Sequence, residues 1–312
     1  MKSLREEFAD TMLELGQEDD RLVVLVGDIS HGILRPYAKA CPDRYYNIGI
    51  CEPTIVNMAA GLNKVGLIPV VHTIAPFITE RAYEQIKLDF GYQQLSLNLV
   101  SVGGAFDYAQ LGCSHHCYTD VSLMCHFHRG VVIYPGSTTE FSKLFRETYA
   151  NGLINYFRLP GTGHGIEFQP EDIQFGRAIR VREGKDVTIA VVGAQLANAL
   201  ESANRLRLVG VDCEVLYFHT LKPFDEATLR SSVRKTRRLV VVEELSSHDG
   251  VYSMCLKACV GLGGLRTAQI AITDFLHGYG TYEELAARVG LSPEGIESAV
   301  LEVTASGAAT TA

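Results

Sequence analysis

Tryptophan is absent from the 312-residue chain, and that absence excludes nothing by itself. Other absences exclude more. No run of 18 apolar residues occurs, so no membrane-spanning helix is expected. The opening Met-Lys-Ser-Leu-Arg-Glu-Glu-Phe turns acidic at once and carries no apolar signal core, which places the protein in the cytoplasm as an expectation. No Lys/Arg-rich run exists, and 28 Lys and Arg stand against 36 Asp and Glu for a net charge of −8. That balance offers no footprint for nucleic acid or an anionic membrane. No C-x-x-C pair occurs among the eight cysteines; in a chain this long they read as reduced thiols, not as a disulfide framework.

Hydrophobic residues make up 47% and charged residues 21% of the chain, which suits a compact protein and argues against disorder. At about 150 residues per domain the length implies two domains. Short β-branched runs alternate with longer amphipathic stretches. Residues 3–16 place Leu4, Phe8, Met12 and Leu15 near helical spacing, and Arg21-Leu-Val-Val-Leu-Val-Gly27 reads as a buried strand ended by Gly. Helices are expected over 52–63, 80–90 and 140–149, and strands over 67–71, 97–102 and 131–134. Arg158-Leu-Pro-Gly-Thr-Gly-His-Gly165 reads as a loop or linker. A second series then follows, with strands over 186–193, 213–218, 239–243 and 268–272. Helices lie between them over 194–209, 225–233 and 250–260, and two more close the chain. Such alternation implies parallel sheets covered on both faces. The fold expected is α/β with two domains, at about 1–160 and 175–312. The small-residue tail at 306–312 is the sole low-complexity segment.

Three segments could carry chemistry. Glu52, in Asn47-Ile-Gly-Ile-Cys-Glu-Pro53, opens an apolar helix, where the helix N-terminus favours a carboxylate. Two readings stand: a first-turn Glu that satisfies backbone donors, or a partly buried acid that exchanges a proton with a ring nitrogen. Gly112-Cys-Ser-His-His-Cys117 is followed by Cys125, His126 and His128. Its spacing suits zinc poorly, since adjacent His115 and His116 point different ways. It is either a polar loop or a place where His115 or His116 meets a substrate oxygen at a strand's C-terminal end. Phe77-Ile-Thr-Glu-Arg-Ala-Tyr-Glu-Gln85 holds Phe77 and Arg81. A Phe is usually core, and Arg81 and Arg158 would ordinarily be salt-bridged. Asp28, after a buried run, stands at a strand-end ligand position. For Glu243 and Glu244 a solvated or helix-capping role is expected.

Taken together, these segments resemble one family. Pro42-Asp-Arg-Tyr-Tyr-Asn47 with Glu52, Ala59-Ala-Gly-Leu62, the Phe77–Gln85 segment and Gly112-x-Ser-His-His116 resemble, in that order, the pyrimidine-binding domain of the thiamine-diphosphate transketolases. Deoxyxylulose-phosphate synthase shows the same order. Leu221-Lys-Pro-Phe-Asp225, Val242-Glu-Glu244 and Ile272-Thr-Asp-Phe275 resemble the transketolase C-terminal domain. The Gly-Asp-Gly…Asn motif of the family's diphosphate and metal site does not occur here. The chain therefore resembles the C-terminal subunit of a split transketolase. That resemblance implies thiamine diphosphate and Mg2+ as cofactors, with metal and diphosphate held mainly by an N-terminal partner subunit, and assembly as a heterotetramer. It implies transfer of a two-carbon ketol unit from a ketose donor to an aldehyde acceptor. A beta subunit of a 2-oxo-acid dehydrogenase or decarboxylating synthase, and a non-catalytic assembly subunit, are the alternatives.

By resemblance Glu52 is the family acid that hydrogen-bonds the aminopyrimidine N1′ and helps the cofactor's C2 carbon lose its proton. Phe77 would stack on that ring, and Asp28 would sit beside the cofactor. His115 would contact substrate oxygens, with His116 as its neighbour, and Arg81 and Arg158 would bind a substrate phosphate. Two positions depart from the pattern. Leu111 stands where the family has an Asp that contacts an acceptor hydroxyl, and Gly103 stands where it has a further histidine.

Overall fold

The computed structural model describes residues 2–305, so the tail at 306–312 lies outside the described residues. The first half runs through strands β1 (Leu22–Val26), β2 (Tyr45–Asn47), β3 (Ile68–Ile74), β4 (Leu97–Val102), β5 (Gly130–Ile133) and β6 (Ile154–Leu159). The second runs through β7 (Ile179–Arg182), β8 (Val187–Val191), β9 (Cys213–Tyr217), β10 (Thr220–Lys222), β11 (Arg238–Ser246) and β12 (Arg266–Ile272). They form a seven-stranded sheet ordered β10-β5-β6-β4-β3-β1-β2 and a smaller five-stranded sheet ordered β12-β11-β8-β9-β7.

Every pairing is parallel except those of the two edge strands, β10 on β5 and β7 on β9. β1, β4, β5, β6, β8 and β9 are buried at every residue. That is why their sequences read as continuous apolar runs: helices cover both faces of a parallel sheet. The helices start where the sequence supplies caps. Ser3 with Glu6, and Thr281 with Glu284, close capping boxes at Leu4–Glu18 and Tyr282–Arg288. Ser137, Asp225 and Ser292 each accept from a first-turn N–H of the helix that follows. No described helix is long and apolar enough to cross a membrane.

The two halves interlock. β10 comes from the second half yet forms the edge of the first sheet, and the Tyr134 N–H donates to the His219 carbonyl at 2.8 Å. One contiguous core runs from Val23, Val71 and Leu99 to Leu216, Leu229 and Val241.

Two local expectations are corrected. The helix expected over 80–90 is broken. A short helix at Ala75–Thr79 is followed by a turn at Tyr83–Gln85 and a π-helical stretch at Ile86–Tyr92. This wide turn buries Ile86 and Phe90 while leaving Leu88 47% and Tyr92 84% exposed. The loop expected from 158 begins instead at Pro160, because Arg158 and Leu159 complete β6 alongside Ser101 and Val102 of β4. β2, β7 and β10 and the helices Arg35–Ala40 and Asp120–Cys125 were not expected. Each has three to six residues, too few to show a period.

Candidate active site

β1, β3 and β4 are neighbours and point the same way, so residues just past their ends share one edge of the sheet. Open parallel sheets bind ligands at that edge. Asp28 follows β1, Phe77 lies in the helix that follows β3, and Gly103 follows β4. Glu52 is the first residue of the Glu52–Lys64 helix, which begins beyond β2.

Glu52 is fully buried. Its carboxylate does not cap its own helix. Oε1 accepts from the Thr73 hydroxyl at 3.4 Å, and Oε2 accepts from Arg81 Nη1 at 2.7 Å. The partners are side chains that face the sheet edge, so the acid is turned toward the cleft and not back on its own backbone. The Arg81 side chain is 45% exposed, and its guanidinium lies 4.2 Å from the centre of the Phe77 ring. Phe77 is half-buried and meets the His115 imidazole at 5.1 Å and 69°, edge to face. His115 is half-exposed, with Nδ1 3.0 Å from the Ser114 hydroxyl. Glu52, Arg81, Phe77 and His115 thus form one continuous set of contacts.

The other expected residues are placed differently. His116 is 4% exposed and packs edge-on against Phe106 at 5.2 Å. Burial lowers its pKa, and neither ring nitrogen has a hydrogen-bond partner. The two adjacent histidines therefore diverge, His115 to the cleft and His116 to the interior. Asp28 is exposed and is tied to Asn47: its N–H donates to Asn47 Oδ1 at 3.1 Å, and Asn47 Nδ2 donates back to Asp28 Oδ1 at 3.2 Å. Leu111 is 52% exposed at the end of a turn from Tyr108.

Arg158 is fully buried, not at the mouth of the cleft. Its Nε lies 3.0 Å from Asp120 Oδ2, itself fully buried, and its Nη2 donates to the Cys117 and Glu244 carbonyls at 3.1 and 3.3 Å. The guanidinium is committed to holding the two halves together, and its charged form is favoured by Asp120 against the cost of burial. Around it, Tyr156 donates to Asp120 at 2.6 Å, and Tyr134, Tyr282 and Gln195 donate to Glu244. Asp107 accepts from the Gly161 N–H at 2.9 Å; burial, with Glu244 adding to it, pushes its pKa up to about 7. Glu243 takes the expected capping role, accepting from the Val251 and Tyr252 N–H groups, but it is buried, not solvated.

The sequence reading passed over His72 and Thr73. His72 Nδ1 donates to the Val100 carbonyl at 2.8 Å, so Nε2 accepts from the Ser30 hydroxyl at 2.8 Å, and Arg5 donates to Ser30 at 2.9 Å. Burial lowers the pKa of His72 to about 4, which keeps it neutral. Both residues lie inside an apolar strand, where nothing but two polar letters in a buried run signals them. Among the described residues, no three His, Cys, Asp or Glu side chains gather as a metal set.

Residues 1–160 match the family model described as the transketolase pyrimidine binding domain, and residues 176–296 match the transketolase C-terminal domain. A 6-deoxy-6-sulfo-D-fructose transketolase subunit of Clostridium sp. (strain MSTE9) is 30% identical over 306 residues, covering 96% of this chain and 94% of that one. A subunit of the apulose-4-phosphate transketolase of Phocaeicola vulgatus is 28% identical and covers 97% of each chain. Among solved structures, a split gene transketolase, described as an inactive beta4 tetramer, superposes with a TM-score of 0.86 at 30% identity, covering 97% of this chain and 98% of that one.

Proposed function

Since the chain belongs to the transketolase family, we propose that it carries the pyrimidine half of a thiamine-diphosphate site. With a second polypeptide it transfers a two-carbon ketol unit from a ketose donor to an aldehyde acceptor. One observation carries this reading: a fully buried carboxylate, Glu52, opens a helix at the sheet edge, and its hydrogen bonds come from Thr73 and a half-exposed Arg81.

The residues fit the aminopyrimidine end of the cofactor. Arg81 is a flat nitrogen-bearing group that donates to Glu52 and lies over Phe77. An aminopyrimidine needs the same two contacts, a carboxylate at its edge and an aromatic face. With its side chain 45% exposed, Arg81 is free to yield both. The chemistry supplied by bound thiamine diphosphate is a nucleophilic carbon that attacks the ketose carbonyl. Glu52 holds and exchanges a proton at the ring nitrogen, away from water that would compete for it. Phe77 gives the ring its face, and Asp28 stands on the rim. His115 meets the substrate's oxygens. Arg81, once displaced, is the cation available to a distal anionic group; Arg158 is excluded from that task by its burial beside Asp120.

We assign the diphosphate and Mg2+ to a partner chain that carries the Gly-Asp-Gly…Asn motif, in a heterotetramer. The two relatives are themselves described as transketolase subunits, which supports a divided enzyme.

Reconstitution tests this reading. The chain, its partner, thiamine diphosphate and Mg2+ are incubated with ketose donors and aldehydes, and products are read by mass spectrometry. The expected product is an aldehyde extended by two carbons, formed only when both chains are present. Carbon dioxide release from 2-oxo acids without ketol transfer would reject the proposal in favour of the decarboxylating alternative.

A further inference from the structure

Gly103 follows directly on β4 at the sheet edge, with φ +83°. A Cβ on Gly103 would lie 2.1 Å from Cε2 of the Tyr108 ring. The ring therefore fills the space that any side chain at 103 would need, a close approach open only to glycine. It also meets the His115 imidazole at 5.9 Å and 70°, so that His115 has Phe77 on one side and Tyr108 on the other. Tyr108 is half-buried, and no described residue hydrogen-bonds its hydroxyl. The same turn ends at Leu111, whose N–H donates to the Tyr108 carbonyl at 2.9 Å and whose side chain is 52% exposed. The acids nearest in sequence are engaged elsewhere: Asp107 on the Gly161 N–H, Asp120 on Arg158 and Tyr156. No carboxylate is left to accept a hydrogen bond from a substrate hydroxyl along this turn.

We propose that Tyr108 sets the acceptor specificity of the site: its ring takes the volume over Gly103 and, with Leu111, gives the acceptor end an apolar wall. The inference rests on the ketol-transfer reading. It names the substrate class as aldehydes with an alkyl or aryl carbon beside the carbonyl. A hydroxyl buried against this wall loses its water without gaining a partner, which costs on the order of tenfold or more in kcat/KM.

The test uses the reconstituted complex, one ketose donor, and butanal against 2-hydroxybutanal as matched acceptors. The wild type should favour butanal by about tenfold. Tyr108→Phe, which keeps the ring, should retain that ratio. Tyr108→Ala, which opens the volume to water, should move it about tenfold toward the hydroxylated aldehyde, mainly through KM. Should Tyr108→Ala fail to fold by circular dichroism, Leu111→Asp at the exposed end of the turn supplies a carboxylate and should move the ratio the same way. A wild-type preference for 2-hydroxybutanal, or an unchanged ratio in folded Tyr108→Ala and in Leu111→Asp, overturns this inference while leaving ketol transfer intact. Absence of transfer from any ketose to any aldehyde overturns the functional reading, and this inference with it.

Discussion

Glu52→Gln lowers ketol transfer by about 10²–10⁴-fold in the reconstituted complex, the usual span for a lost acid–base group. Gln keeps the length and planarity of Glu and can still accept from Thr73 and Arg81 through its amide oxygen. What it lacks is a proton to exchange with a ring nitrogen. The fold should tolerate the change, because Glu52 does not cap its helix and Arg81, 45% exposed, is hydrated without its partner. Steady-state kcat, with thermal unfolding as the control for folding, reads the effect. A folded variant within threefold of wild type would remove Glu52 from the proton path.

Arg158→Met should have the largest effect on stability, about 3–5 kcal/mol, the range found when one partner of a buried ion pair is removed. Asp120, fully buried, would keep only the Tyr156 hydroxyl, and the Cys117 and Glu244 carbonyls would each lose a donor. Because Glu244 belongs to the second half, the loss also loosens the joint between the two sheets. Arg81→Met is the comparison. Arg81 also pairs with a buried carboxylate, but its own side chain is 45% exposed, so its removal should cost far less stability. Urea unfolding at pH 7 measures both. Equal midpoint shifts would mean that Arg158 does not hold the halves together.

Burial separates what the sequence revealed from what it concealed. β1, β4 and β8 are apolar at nearly every position because helices cover both their faces, so pattern alone locates them. The edge strands β7 and β10 pair antiparallel over four and three residues. β10 belongs to the sheet of the other half, a long-range pairing that no local pattern encodes. Glu52, Phe77 and His115 were legible as residues, through motif and resemblance, and the fold brings them together. The difference between His115 and His116 was not legible, because it depends on the turn from Gly112 that sends one ring to Phe77 and the next to Phe106. Nor was the commitment of Arg158 legible: its partner Asp120 lies 38 positions earlier, in a helix too short to be expected. Tyr108 was overlooked because its role depends on the absence of a side chain five positions away, at Gly103.

The central claim is that this chain holds one half of a divided cofactor site. Titration calorimetry with thiamine diphosphate and Mg2+ tests it most directly, on the chain alone and on its complex with the partner that carries Gly-Asp-Gly…Asn. The chain alone offers a carboxylate and an aromatic face for the pyrimidine, while the strongest electrostatic contacts of the cofactor are those of its diphosphate and metal. The account predicts no measurable binding heat for the chain alone and saturable, Mg2+-dependent binding for the complex. Tight Mg2+-dependent binding by the chain alone would contradict it.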